Sequence, residues 1–121
     1  MNTIKPTGIT ADRNERVLII NWNDGHVSRL PFAGLRKECP CVNCKGGHDY
    51  MGTPPDPIVV RDTVDENINI EEIQAVGSYA LSFLWSDGHW EGIYTWKYLR
   101  EACPCPECVA KWQAKQGEIE D

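Results

Sequence analysis

Several features that would point directly to a function are absent from this 121-residue chain. No apolar run approaches the roughly 18 residues needed to cross a bilayer, so a membrane-spanning helix is excluded. Basic charge is in deficit: 12 lysines and arginines stand against 18 acidic residues, a net charge of −6. Sequence-independent binding to phosphate backbones needs a basic surface, so nucleic acid is not an expected partner. Met1 to Thr10 hold one lysine and no apolar stretch, unlike a secretory signal, so the expected compartment is the reducing cytoplasm. Histidine is scarce, with three copies at positions 26, 48 and 89. What remains is the length of a single domain, 1–121, able to bury a core of its own.

Cysteine is present in quantity, and its placement is informative. All six fall in two tight clusters, Cys39/Cys41/Cys44 and Cys103/Cys105/Cys108. A disulfide framework spreads its cysteines to staple distant loops; clustered cysteines in an unexported chain are metal ligands or redox groups instead.

The clusters sit inside a duplication. Trp22, Asp24, Gly25 and His26 recur 63 residues later as Trp85, Asp87, Gly88 and His89. Leu35-Arg36 and Cys39-Pro40-Cys41-x-x-Cys44 recur 64 residues later as Leu99-Arg100 and Cys103-Pro104-Cys105-x-x-Cys108. Self-similarity at a fixed spacing marks a repeated structural unit, here covering about 8–44 and 67–108.

Each unit has the same local pattern. Val17–Trp22 and Tyr79–Trp85 are rich in β-branched and aromatic residues and read as strands. Asp24-Gly25 and Asp87-Gly88 signal hairpins with tight primed turns. Second strands follow over His26–Pro31 and His89–Tyr94, then short helices near Phe32–Lys37 and Thr95–Ala102, the latter capped by Thr95. Pro40 and Pro104 stop these helices, because the residue before proline is pushed out of the α region. Segments near Gly8–Arg13 and Asn67–Val76 add a strand to each unit. Lys45–Pro57, with three glycines and three prolines, reads as a loop. The tail Val109–Gln116 reads as a helix, and Asp62, Asp65, Glu66, Glu71 and Glu72 as a solvated face. Trp90 is assigned to the core before a docking surface, since tryptophan packs readily inside small domains. The expected fold is α+β: two pseudo-symmetric β-β-β-α units packed together, mainly antiparallel, and metal-bound.

Thiolates are strong zinc ligands, and a structural zinc site takes four donors of sulfur or imidazole in a tetrahedron. A Cys-x-Cys-x-x-Cys run supplies three from one turn, and the intervening proline pre-forms that turn. Each cluster therefore lacks one ligand. His48 could complete the first locally, but no histidine follows Cys108. Packing about a pseudo-twofold axis offers a symmetric solution, in which each Asp-Gly-His turn reaches the other unit's cysteines. The first site is then Cys39, Cys41, Cys44 and His89; a second, Cys103, Cys105, Cys108 and His26, is possible on symmetry alone.

The motifs Leu35-Arg36-x-x-Cys39-Pro40-Cys41-x-x-Cys44 and Trp85-x-Asp87-x-His89 resemble the N-terminal domain of gamma-butyrobetaine hydroxylase and trimethyllysine dioxygenase. That family also occurs as short stand-alone bacterial proteins, and the resemblance covers roughly Ile9 to Cys108. It implies one zinc held by Cys39, Cys41, Cys44 and His89, and so independently favours the crossed pairing over His48. It does not extend to His26 and Cys103/Cys105/Cys108. The family's domain also stands beside iron–sulfur-carrier ATPases, which keeps an iron–sulfur accessory role as the alternative; sulfur and imidazole donors serve zinc or a cluster alike.

Enzymatic readings fare worse. Non-haem iron oxygenases need two histidines and a carboxylate; His89-Trp90-Glu91 begins such a motif, but no histidine follows. The zinc-deaminase pattern H-x-E…P-C-x-x-C is matched by His89-x-Glu91…Pro104-Cys105-x-x-Cys108. Yet His89 follows a turn rather than opening a helix, the intervening stretch is too short, and Ser28 replaces the acid in the first unit. A closed site of four protein ligands leaves no position for water to be activated. The expectation is a non-catalytic zinc-binding module for structure, assembly or protein interaction, partnered by another protein or by a second copy in a homodimer.

Overall fold

Val17–Trp22 forms the strand its composition predicts and lies at the middle of a three-stranded antiparallel sheet. The sheet runs in chain order: β1 (Pro6–Asp12), β2 (Val17–Trp22) and β3 (Val27–Pro31). A computed structural model describes residues 4–40, 55–90 and 92–119, with side chains inside the last helix up to residue 114. The short helix α1 (Phe32–Lys37) follows β3 directly, and α2 (Pro57–Asp62) precedes the second unit. That unit repeats the plan with β4 (Ile70–Val76), β5 (Ala80–Trp85), β6 (Ile93–Thr95) and α3 (Trp96–Glu101), and the chain continues into α4 (Pro106–Ile119). The architecture is α+β, two three-stranded antiparallel sheets with short helices.

The duplication extends to a feature that sequence identity does not mark. Pro6 pairs with Trp22, and the register then slips before Gly8 pairs with Asn21. Ile70 likewise pairs with Trp85, and the register slips before Glu72 pairs with Leu84. The register of the first strand of each unit thus shifts at the same point, next to the tryptophan that ends the central strand.

Strand alternation sends one face of each sheet inward. Leu18, Ile20 and Trp22 of β2 and Leu81, Phe83 and Trp85 of β5 are all buried. They belong to one hydrophobic cluster with Leu30, Phe32, Leu35, Tyr94 and Leu99, so both units share a core. Phe32 of the first unit meets Trp85 of the second edge-on, with ring centroids 6.4 Å apart, and Phe83 meets Tyr94 at 4.9 Å. Each such side chain contributes about 1.5–3 kcal/mol by leaving water. Helix α1 lies against α2 so closely that a Cβ on Gly34 would run into the backbone of Val60.

Four expectations need correction. The Asp-Gly turns are not primed: among their residues only Gly25 (φ 90°) and Gly88 (φ 86°) have positive φ, whereas a type I′ turn needs two in succession. They are three-residue turns in which glycine alone takes the left-handed position and the aspartate accepts the histidine amide. Second, the end of the expected loop opens a helix. Asp56 accepts hydrogen bonds from the Ile58 and Val59 amides, and Pro57 occupies the first turn, where its missing N–H costs nothing; residues 45–54 lie outside the described residues. Third, Trp90 is 66% exposed rather than buried. Fourth, β6 is correspondingly shorter than the expected His89–Tyr94 strand. The acidic residues from Asp62 to Glu72 are exposed, as charge requires. Among the described residues no helix is long and apolar enough to cross a membrane.

Candidate metal centre

Both units deliver their first cysteine by the same helix ending. At the end of α1, the Glu38 amide donates to Gly34 O at 3.0 Å and the Cys39 amide to Arg36 O at 3.3 Å. At the end of α3, the Ala102 amide donates to Tyr98 O at 3.0 Å and the Cys103 amide to Arg100 O at 3.2 Å. Tightening of the last turn, with proline next in the chain, stops each helix and leaves Cys39 and Cys103 fully buried. Thr95 caps the start of α3, its hydroxyl accepting from the Tyr98 amide at 3.1 Å. Cys105 stands just ahead of α4, and its carbonyl accepts the helix's bond from the Val109 amide at 2.9 Å.

The histidines arrive from the turns of the opposite units. The Trp22 amide donates to His26 O at 2.9 Å and the Trp85 amide to His89 O at 2.9 Å, closing equivalent turns. Asp24 Oδ1 accepts the His26 amide and Asp87 Oδ1 the His89 amide, both at 3.1 Å. Fixed in this way, His26 Nε2 lies 3.3 Å from Cys103 Sγ, 3.7 Å from Cys105 Sγ and 3.4 Å from Cys108 Sγ. The four donor atoms all fall within 4.8 Å of one another. Donors on a common tetrahedral zinc, with bonds of about 2.3 Å to sulfur and 2.0–2.1 Å to nitrogen, would stand about 3.6 Å apart for each S···N pair. The three observed N···S distances straddle that value, so His26, Cys103, Cys105 and Cys108 form a group that could hold one metal ion.

Two of the thiols at this centre are shifted in opposite directions. The Cys108 thiol is pushed up to about 12 by burial and by the adjacent Cys105 and Cys103 sulfurs. Burial opposes ionisation of Cys105 too, but the Cys108 amide and the neighbouring thiols outweigh it and hold its pKa below the ordinary value. The Cys108 amide lies 3.4 Å from Cys105 Sγ. One sulfur is thus solvated by its neighbours, and further ionisation meets like-charge repulsion that a bound divalent ion would offset.

Of the first expected site, only Cys39 and His89 fall within the described residues. Cys39 Sγ and His89 Nε2 lie 3.1 Å apart, in the same crossed arrangement. Cys41, Cys44 and His48 lie outside the described residues. Gly92 passes so near that a Cβ there would come 2.6 Å from Cys39 Sγ and 3.1 Å from Pro40 Cδ. Tyr94, fully buried beside Cys39, donates its hydroxyl to Leu35 O at 2.8 Å; burial and the Cys39 sulfur raise its pKa well above the ordinary value. Tyr98 donates to Glu38 O at 2.6 Å, so two tyrosines of the second unit hold the end of α1.

Two further contacts were not anticipated. Arg100 of α3 forms a two-pronged pair with Asp24, Nη1 to Oδ1 at 3.1 Å and Nη2 to Oδ2 at 3.0 Å. Arg36 of α1 donates from Nε to Asp87 Oδ2 at 2.9 Å. The Arg100 guanidinium also stands over the Trp22 ring, 5.6 Å from its centroid, a favourable cation–π position. The Arg100 hydrogen bonds hold the Asp24 carboxyl below its ordinary pKa. Partial burial opposes the same effect at Asp87, but the His89 amide and Arg36 outweigh it. The signal was present in the sequence, since Asp24/Asp87 and Arg36/Arg100 are among the duplicated identities.

A family model described as "Gamma-butyrobetaine hydroxylase-like, N-terminal" matches residues 9–100. No functionally curated protein matches the chain. Among solved structures, a protein of unknown function from Acidithiobacillus ferrooxidans ATCC 23270, assigned to the DUF971 family, is 38% identical; the alignment covers 81% of this chain and 91% of that one with a TM-score of 0.61. An NMR solution structure at 27% identity covers 98% of this chain and 82% of its own, with a TM-score of 0.64. Another at 22% identity shares the fold, with a TM-score of 0.60 over 99% of this chain and 87% of its own. With its metal-ligand motifs, its duplicated sheets and most of its length accounted for, the chain belongs to the gamma-butyrobetaine hydroxylase-like N-terminal domain family.

Proposed function

We propose that this protein is a non-catalytic zinc-binding module whose metal clasps its two duplicated units together and presents the resulting surface to a protein partner. The observation that carries this reading is the crossing at the centre: His26 comes from the first unit and Cys103, Cys105 and Cys108 from the second. A metal bound there would cross-link residues far apart in the chain, and its binding free energy becomes folding free energy. Three sulfurs and one imidazole suit zinc, fill a tetrahedron, and leave no open position at which water would be activated. A deaminase would need His89 on the same metal as Cys105 and Cys108, whereas His89 lies against Cys39. The exposed apolar residues Val27 and Trp90, each directly after a site histidine and equivalent in the repeat, are the surface we assign to a partner.

Metal analysis and the absorption spectrum of the chain, purified without oxygen, test this. A colourless protein with stoichiometric zinc is expected. A brown protein carrying iron and acid-labile sulfide would replace this reading with an iron–sulfur accessory role, for which the same donors are suitable.

A further inference from the structure

The three sulfurs of the His26 centre are not equivalent. Cys103 is fully buried at the end of α3, while Cys105 and Cys108 are half-buried and reachable from solvent. These two sit on one turn: Cys105 immediately precedes α4 and Cys108 lies within its first turn, with the Cys108 amide 3.4 Å from Cys105 Sγ. Their sulfurs lie within 4.8 Å of each other. A Cys-x-x-Cys pair at the start of a helix is the arrangement that disulfide oxidoreductases open and close reversibly. Joining them therefore needs only a local adjustment within one turn, with no approach of distant parts of the chain.

We propose that Cys105 and Cys108 are a site of reversible oxidation by low-molecular-weight disulfides, and that closing the Cys105–Cys108 bond discharges the metal. This rests on the metal-binding reading of the same centre. The Cys105 sulfur attacks one sulfur of the small disulfide, forming a mixed disulfide and expelling the first small thiolate. The Cys108 sulfur then attacks the Cys105 sulfur, forming the intramolecular bond and expelling the second small thiolate. The protein's two thiolates lose two electrons and the small disulfide gains them. Only His26 and Cys103 remain as donors, too few for a closed tetrahedral site, so the metal leaves and Cys103 takes a proton. A small dithiol reverses the reaction, and the centre reloads. Metal occupancy, and with it the joining of the two units, thereby responds to the thiol–disulfide balance.

The test treats the zinc-loaded full chain with oxidised glutathione, following zinc with a chromogenic chelator and mapping disulfides by mass spectrometry after alkylation. One zinc from this centre is expected to be released per Cys105–Cys108 link, with Cys103 recovered in alkylated form. Cys108→Ser should instead accumulate a glutathione adduct on Cys105. Zinc retained after the link has formed, or a link mapped to other cysteines in both the loaded and the metal-free chain, would overturn the proposal. A zinc content that His26→Ala leaves unchanged before any oxidant is added would remove the metal reading itself, a failure distinguishable from the first two.

Discussion

Arg100 and Asp24, 76 residues apart in the chain, meet through two hydrogen bonds of 3.1 and 3.0 Å, and the loop that Asp24 braces presents His26 to the cysteine that follows Arg100's helix. Arg36 and Asp87 repeat the relationship with the units exchanged, at 2.9 Å. A partly exposed ion pair adds little to stability by itself. Its consequence lies in position: the aspartate also accepts the histidine amide, so the pair fixes the turn from which the imidazole projects. Partners that orient a metal ligand typically matter 10–100-fold in metal affinity.

Asp24→Ala is therefore expected to weaken metal binding at the His26 centre by about 10–100-fold, while changing the stability of the metal-free chain little. Competition titration against a chelator of known affinity, alongside urea unfolding in excess chelator, separates the two effects. An equal loss in both measurements would mean that the pair merely supports the fold.

The first site makes a different demand. Cys39 Sγ lies 3.1 Å from His89 Nε2, so the crossed assignment predicts that His89→Ala releases a metal and that His48→Ala does not. Metal content by elemental analysis gives the answer directly. The opposite pattern would return the first cluster to a local histidine.

The packing of α1 on α2 predicts a severe glycine effect. A Cβ at position 34 would run into the Val60 backbone, which cannot rotate out of the way as a flexible side chain could. Gly34→Ala should cost about 1–3 kcal/mol or more, the usual range for overpacking a tight contact. Urea unfolding of the metal-loaded protein measures it, and a neutral result would mean that the two helices can separate at no cost.

The thiol shifts predict opposite pH responses with and without metal. In the metal-free chain Cys108 keeps its proton to about 12, against an ordinary value of 9.0. Its raised folded-state pKa contributes stability that is complete below 9.0 and lost as pH climbs toward about 12. Metal binding instead displaces that proton, so affinity should rise with pH. Urea midpoints in chelator should fall as pH rises from 9.0 toward about 12, while metal affinity measured from about pH 6 to 8 should increase. Metal affinity flat across that interval would show that the thiols are not the donors.

Much of this structure was legible because duplication doubles every signal. The bounds of β2 and α1 follow from Val17–Trp22 and Phe32–Lys37 as read, and crossing of the histidines follows from a repeat with three cysteines and one distant imidazole in each half. The misses have physical reasons. Helix α2 is six residues long, too short for a periodic pattern, and was announced only by the cap and first-turn pair Asp56-Pro57. The Asp-Gly turns carry positive φ at glycine alone, a distinction that the dipeptide does not encode. Trp90 suggests a core residue by type, yet it follows directly on His89, whose ring is turned toward Cys39, and is 66% exposed. The Arg–Asp pairs were hidden because Asp24 and Asp87 already had a sufficient local explanation as turn residues.

The remaining prediction concerns the number of metals. Duplication placed three cysteines and one histidine at equivalent positions in both directions, and the His26 centre has its four donors within 4.8 Å. Nothing in packing alone requires three sulfurs there, since Cys103 by itself occupies the buried position at the end of α3. Left without a metal, the three would be a cluster of thiols whose successive ionisation is resisted, as the shift of Cys108 to about 12 reflects. Native mass spectrometry of chain prepared with ample zinc should accordingly find two zincs per chain. His26→Ala should lower the count to one and His89→Ala should also lower it to one, because each histidine serves the other unit's cysteines. The double variant should bind none tightly. A single zinc in the unsubstituted chain, lost with His89→Ala and kept with His26→Ala, would instead mean that the second cluster is a geometric echo of the first, with donors in place and no ion to hold.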